Sequence, residues 1–418
     1  MSENINLSAE VNKQLPEQLA DFLRVAGRLA RSRGWSLYLV GGVVRDLLLK
    51  RATFDLDLVV EGDAVDLACE LADIKAGKII THPRFGTAKL QWDEWSIDLA
   101  TARSETYAEP GALPVVKPGT IKDDVVRRDF TINAMAVELN PERYGQLLDL
   151  YGGKIDLESK LLRVLHDKSF VDDATRIWRA VRYEQRLDFQ IEPDTLALLK
   201  HGIKYLDTIS GDRIRHELEL ILKENCPEKM LRRADELRAL VKLCPALRVG
   251  NWLAERFVQA RELSLPNKPP PGLYLSLLAY PLTSEETEDL ISYLRLRKSV
   301  ARMLRDTIDF KGGLNLLNSP GLTPSEVYCL LHGYSLTAVT ASLLASGSGK
   351  TRGRINLFLR KLRYVKTALS GEDLVRMGVT PGPRIKEILN HLRNARLDGK
   401  VSSKREEEEM AEALSADS

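Results

Sequence analysis

A chain of 418 residues exceeds what one hydrophobic core ordinarily supports and is expected to divide into two or more domains. Its 61 basic and 59 acidic side chains leave a formal charge of +2, so any polyanion-binding surface must come from their distribution and not from their sum. No stretch approaches the roughly 20 apolar residues that span a bilayer, Met1 to Leu19 lacks the pattern of a secretory signal, and Cys69, Cys226, Cys244 and Cys329 show no CxxC spacing; a cytoplasmic protein is predicted, with no membrane partner, no zinc ribbon and buried thiols.

The first third mixes two periodicities. An amphipathic helix is predicted from Leu15 to Arg31, followed by strands at Leu37 to Val40, Asp57 to Val60 and Ile97 to Ala100. Gly41 and Gly42 lie between the first strand and a helical run, Val43 to Leu49, where backbone amides can approach phosphate oxygens and Arg45 can add charge. Asp55-Leu56-Asp57 then enters the second strand, and alternation turns both carboxylates to one side. Paired aspartates of this kind can share divalent metals in phosphoryl transfer, and magnesium suits such hard oxygen ligands. Asp98, between apolar Ile97 and Leu99, is a candidate third carboxylate on a neighbouring strand.

From Arg103 to Asp124 the glycines and prolines predict a long loop. Arg127 and Arg128 follow, suited to clamping a triphosphate, with Asp129 and Asn133 placed to orient the clamp or a sugar. Asp173, Arg176, Arg179 and Arg182 recur at steps of three on a predicted helix. A carboxylate acceptor beside a guanidinium donor can present the hydrogen-bonding edge of a complementary base. The same segment also fits a capped helix with a solvated basic face and Ile177, Trp178 and Val181 packed inward.

Beyond about Leu157 only helical patterns appear, as at Asp212 to Leu222 and Pro227 to Leu240, interrupted by a loop at Pro266, Pro269, Pro270 and Pro271. Gly333 to Gly371 has no acidic residue but carries Lys350, Arg352, Arg354, Arg360, Lys361, Arg363 and Lys366, a stretch suited to a polyanion. The final run, Lys404 to Glu409, predicts a frayed, solvated helix. Gly347-Ser348-Gly349-Lys350-Thr351 lacks the leading glycine of a phosphate loop because Leu344 stands there, and His166-Asp167 has no clustered ligands around it.

GGVVRD (41–46), DLDLVVEG (55–62), VVRRDFTINAMA (125–136) and DDATRIWRAVRY (172–183), joined by YGGKIDL (151–157), together resemble the class II tRNA nucleotidyltransferases of the polymerase-β-like superfamily, over roughly Tyr38 to Leu222. The resemblance implies an α/β nucleotidyltransferase head with a mixed sheet at 1–156, a helical neck at 157–225 bearing the nucleotide-recognition helix, a helical body at 226–330, and a helical, tRNA-binding tail at 331–418. It implies template-independent addition of CCA to the tRNA 3′ end from CTP and ATP, with magnesium as cofactor and pyrophosphate as by-product. The alternatives are an A-adding enzyme, a poly(A) polymerase or a non-catalytic RNA-binding module.

By position in the motifs, Asp55 and Asp57 would carry magnesium, Gly42, Arg45 and Arg128 would hold phosphates and sugar, Asp173 and Arg176 would read the base, and Arg179 and Arg182 would complete the pocket. Asp172 stands where the family usually has glutamate, beside the base-reading carboxylate. The 103–124 segment corresponds to a flexible family element linked to switching from CTP to ATP, and its presence disfavours a CC-only enzyme. His82-Pro83-Arg84-Phe85-Gly86-Thr87 departs from the more basic signature of the poly(A) polymerases.

Overall fold

Runs of Val, Ile and Leu broken by glycine turns give the strands of the amino-terminal part: β1 (Ser36–Val40), β2 (Leu56–Glu61), β3 (Lys78–His82), β4 (Thr87–Trp92), β5 (Trp95–Thr101), β6 (Arg103–Thr106), β7 (Val115–Pro118), β8 (Met135–Glu138) and β9 (Leu147–Asp149). Seven of them form one mixed sheet in the order β3-β4-β5-β2-β1-β8-β9, in which β2 and β5 run parallel and every other pair antiparallel. The computed structural model describes residues 5–52 and 54–416. The chain divides into two compact units, Met1–Glu217 with Glu236–Ala239, and Leu218–Asp235 with Leu240–Ser418.

In the first unit the helix Glu17–Ser32 buries Leu19, Phe22, Leu23, Ala26 and Ala30, the stripe expected of an amphipathic helix lying on a sheet. Gly27 permits the closest approach, since a Cβ there would lie 1.9 Å from the carbonyl oxygen of Leu139. Register places Asp57 of β2 between Val40 of β1 and Asp98 of β5, at the middle of the sheet. Asp55 precedes β2, so the paired aspartates straddle the strand's first residue instead of alternating within it.

The structure departs from the sequence expectations at 103–124, beyond Leu157 and over 227–240. The 103–124 segment is a hairpin, β6 paired antiparallel with β7, followed by the helix Ile121–Val126, which Thr120 and Asp123 cap reciprocally. Its strands escaped notice because β7 is exposed at all four positions and carries no alternation. Strand structure also continues beyond Leu157, where β10 (Leu161–Leu162) pairs in parallel with β11 (Gln190–Ile191) across the helix Thr175–Leu187. The helix expected over 227–240 ends at Glu236.

The second unit is helical. Phe310, Leu331, Val339, Ile355 and Phe358 centre one of its clusters, and Leu374, Ile388, Leu392 and Ala411 another. The last helix, Lys404–Ala416, is packed and not frayed. Met410, Ala411 and Leu414 join the second cluster, and the fully buried Glu407 accepts hydrogen bonds from the amides of Ala368 (2.8 Å) and Leu369 (2.9 Å) and pairs with Arg396. Ser348 accepts from the Thr351 amide and caps the helix Gly349–Arg360, a structural use for the loop that resembles a phosphate motif. Of the thiols expected to be buried, only Cys244 is; Cys69 and Cys329 are exposed and Cys226 is intermediate. No single helix among the described residues is long and apolar enough to cross a membrane.

Candidate active site

Between β1 and the helix Gly42–Leu48 the backbone turns through Gly41 at φ +79°, a left-handed conformation that glycine adopts without strain. A Cβ at Gly41 would lie 2.9 Å from an Nη atom of Arg128 and 3.5 Å from a carboxylate oxygen of Asp57. The missing side chain therefore lets a guanidinium and a carboxylate close over the turn. Gly41, Gly42, Arg45, Asp55, Asp57 and Arg128 all line a cavity of about 480 Å³, and Asp173, Arg176, Arg179 and Arg182 line it too. Every site residue selected from the sequence thus borders one space, while Asp98 does not.

The cationic wall is held by a relay of fixed contacts. Arg45, 2% exposed, donates to Asp46 at 2.9 and 3.0 Å and to Asn133 at 2.7 Å; Asn133 donates to Asp129 at 3.0 Å. Asp129 accepts from Arg179 at 2.7 Å. Burial opposes ionisation of Asp129, but the Arg179 charge and the hydrogen bonds from Asn133 and Arg179 outweigh it and hold its pKa below the ordinary carboxylate range. The Asp129 charge in turn raises the pKa of Arg179. The Tyr183 ring underlies this wall, with the guanidinium carbons of Arg45, Arg179 and Arg182 at 5.4, 5.9 and 5.1 Å from its centroid.

The carboxylate side is the electrostatic complement. Burial, reinforced by the Asp55 charge and opposed by Arg128, pushes the Asp57 pKa up to about 6. A carboxylate pair this short of compensating charge fits a divalent cation by donor type and by charge. Among the described residues no group of three or more His, Cys, Asp or Glu side chains is placed to hold a metal. Asp98 is engaged by Lys89, whose Nζ lies 3.0 and 3.2 Å from its oxygens.

At the other end, Asp173 lies just before the helix Thr175–Leu187. It accepts from the Thr175 amide (2.9 Å) and hydroxyl (2.6 Å) and pairs with Arg213 at 2.8 Å, so its guanidinium partner is not Arg176. Arg176, 4% exposed, donates to the Ser169 hydroxyl at 2.6 Å and to the Arg127 carbonyl at 2.7 Å.

Several wall residues were missed by the sequence reading. Glu105 and Tyr107 arrive from the β6–β7 segment, and the Tyr107 hydroxyl donates to Glu105 at 3.0 Å. Arg127 pairs with Glu105 at 2.9 Å, and the fully buried Asp124 holds Arg127 at 2.6 Å and Arg128 at 2.8 Å. The three- and four-residue spacing from Asp124 to the two arginines was a readable helical signal, whereas nothing local marks Glu105. Glu217, its pKa raised by burial, lies 3.9 Å from Arg179 and 3.7 Å from Arg182. Outside the cavity, His166 stands 4.0 Å from Asp172.

Comparison with known proteins agrees with this arrangement. Residues 37–163 match the model of the poly A polymerase head domain, and 188–249 match that of the "probable RNA and SrmB-binding site of polymerase A". An A-adding tRNA nucleotidyltransferase of Halalkalibacterium halodurans is 31% identical over 96% of this chain and 94% of its own. The chain belongs to the tRNA nucleotidyltransferase family. A second A-adding member, from Geobacter sulfurreducens, is 34% identical over 97% of the chain, which spans about half (48%) of that relative's length. The solved Thermotoga maritima CCA-adding enzyme complexed with tRNA-CCA is 33% identical, covers 99% of both chains and superposes with a TM-score of 0.76. The mixed-sheet head and helical remainder expected from the motifs are those of a tRNA nucleotidyltransferase.

Proposed function

We propose that this protein completes the 3′ end of tRNA by adding CCA from CTP and ATP, without a nucleic-acid template and with release of pyrophosphate. The observation that carries the reading is that one cavity is lined by a carboxylate pair, a cationic wall and a donor–acceptor set, Asp173 and Arg176. The triphosphate lies along the wall of Arg128, Arg179 and Arg182, while the Gly41–Gly42 turn leaves room for it. Because Asp129 and Asn133 already fix Arg179 and Arg45, the charges are in place before the nucleotide arrives and need little reorganisation during transfer. At the far end the Asp173 carboxylate accepts and the Arg176 guanidinium donates to the base edge, so the protein takes the place of a template.

The acceptor hydroxyl attacks the α-phosphorus in line as pyrophosphate leaves. Asp55 and Asp57 would hold magnesium, which when bound supplies charge neutralisation at the triphosphate and eases loss of the hydroxyl proton. We assign the head to 1–156, the neck to 157–225, the body to 226–330 and the tRNA-binding tail to 331–418. Supporting the last, Lys350, Arg352, Arg360, Lys361 and Lys366 are all exposed in the second unit.

A second reading, addition of the terminal A alone, is favoured by the A-adding names of the Halalkalibacterium and Geobacter relatives. Purified protein with magnesium is to be incubated with tRNA transcripts ending before CCA, after C and after CC, with CTP and ATP singly and together. Completion of all three, stopping at CCA, supports the main reading; growth of the CC-ended transcript alone, by one A, supports the second. Asp55→Ala is expected to abolish incorporation without loss of tRNA binding, and turnover at the wild-type rate would overturn the metal assignment.

A further inference from the structure

The helix Thr175–Leu187 places Arg179 one turn before Tyr183 and Arg182 next to it, while Arg45 reaches the same ring from the helix Gly42–Leu48. The guanidinium carbons lie 5.4 Å (Arg45), 5.9 Å (Arg179) and 5.1 Å (Arg182) from the ring centroid. Among the described residues, every other ring with a cation over it has a single one. The fully buried Phe130 stands nearly perpendicular to Tyr183, at 84° with the centroids 5.9 Å apart, which fixes the plane of the Tyr183 ring.

Three like charges gathered around one ring repel one another, and each has its own carboxylate from a different segment: Asp46 for Arg45, Asp129 for Arg179 and Glu217 for Arg182. Among these contacts the ring is the one group common to all three. Its electron-rich face attracts each guanidinium and opposes their spreading. Packing does not by itself account for an aromatic residue here. Ile177, Trp178 and Val181 fill the interior side of the helix, whereas Tyr183 is half-buried and lines the nucleotide cavity.

We propose that Tyr183 is a positioning residue for the triphosphate: its ring gathers Arg45, Arg179 and Arg182 at one spacing, so that the phosphates which leave as pyrophosphate meet charges already placed. The proposal rests on the transfer reading above and adds to it a residue that acts through the arginines. The ring bears on the phosphate wall and not on Asp173 or Arg176. Its removal therefore weakens every triphosphate alike and leaves base choice unchanged.

The test uses the full chain with magnesium and tRNA transcripts, measuring KM for each nucleotide that the wild type incorporates, KM for the transcript, and Ki for pyrophosphate. Tyr183→Leu is expected to raise the nucleotide KM and the pyrophosphate Ki together by about tenfold, the scale of three weak cation–π contacts, with KM for the transcript and the preference between CTP and ATP unchanged. Tyr183→Phe, which keeps the ring, restores both constants. A fluorinated phenylalanine at position 183 keeps the ring's shape but drains its face of negative charge, and should raise both constants again in a protein whose fold is undisturbed. A ring that only packs would, in Tyr183→Leu, lower kcat or the folded fraction and leave KM and Ki at their wild-type values. That result, or wild-type constants in the fluorinated protein, overturns the role of Tyr183 while the transfer reading stands. If the wild type incorporates no nucleotide into any transcript, the transfer reading and the role of Tyr183 fall together.

Discussion

Replacing Asp57 with asparagine is expected to stabilise the metal-free head while abolishing nucleotide incorporation. The folded protein raises the Asp57 pKa from 3.8 to about 6, first by burial and then by the charge of Asp55. Because the folded value lies above the unfolded one, the ionised carboxylate opposes folding at pH 7.5, and that opposition fades as pH falls through about 6 towards 4. At about 1.4 kcal/mol per pH unit the difference is worth about 3 kcal/mol, which solvent screening at a partly exposed side chain reduces to about 1–2 kcal/mol. Four of the five tryptophans, Trp35, Trp92, Trp95 and Trp178, lie in the first unit, so fluorescence-detected unfolding reports mainly on the head. In chelator at pH 7.5, Asp57→Asn should unfold at higher urea than wild type, and the gap should shrink by about half at pH 5. Magnesium should then stabilise the wild-type protein and not the variant, because only the former binds it when folded. A variant no more stable than wild type in chelator, or one stabilised equally by magnesium, would refute the argument that this carboxylate is held in want of a cation.

Asp129→Asn leaves Arg179 beside a neutral partner, and should raise KM for CTP and ATP together while lowering stability by about 1–3 kcal/mol; unchanged KM values would remove Asp129 from the phosphate wall. Arg213→Ala frees Asp173 from its 2.8 Å partner and should change the ratio of kcat/KM for CTP to that for ATP by about tenfold, the scale of one charge-assisted hydrogen bond; a constant ratio would separate Asp173 from base choice. Glu407→Gln weakens a buried acceptor of two amides and an arginine and should destabilise the second unit by about 1–3 kcal/mol, read by urea unfolding through Trp252; wild-type stability would make the buried charge incidental.

What was legible in the sequence and what was not divides along the range of the interactions. The glycine turn, the central strands and the aspartates around Leu56 are written in adjacent residues, and the motifs that carry them lie within a few positions of one another. The β6–β7 hairpin was hidden because its edge strands show no apolar face, and Glu105 and Tyr107 reach the cavity only after the chain folds back on itself. The partner of Asp173 sits forty residues away, so helical spacing pointed to Arg176 and missed Arg213.

The helix Thr175–Leu187 explains why spacing alone could not choose between a solvated basic face and a nucleotide wall. Arg176 and Arg182 are buried along with Ile177, Trp178 and Val181, while Arg179 is partly exposed and Arg186 exposed, so the arginines of one helix are divided between the interior and the cavity. Guanidinium groups withdrawn from water in this way persist only where partners await them: Ser169 and the Arg127 carbonyl accept from Arg176, Asp129 accepts from Arg179, and the Glu217 carboxylate lies 3.7 Å from Arg182 as an ion pair, all from three other segments of the chain. The same contacts that make the arginines tolerable in the fold fix their direction, so the charged wall is set by the fold itself.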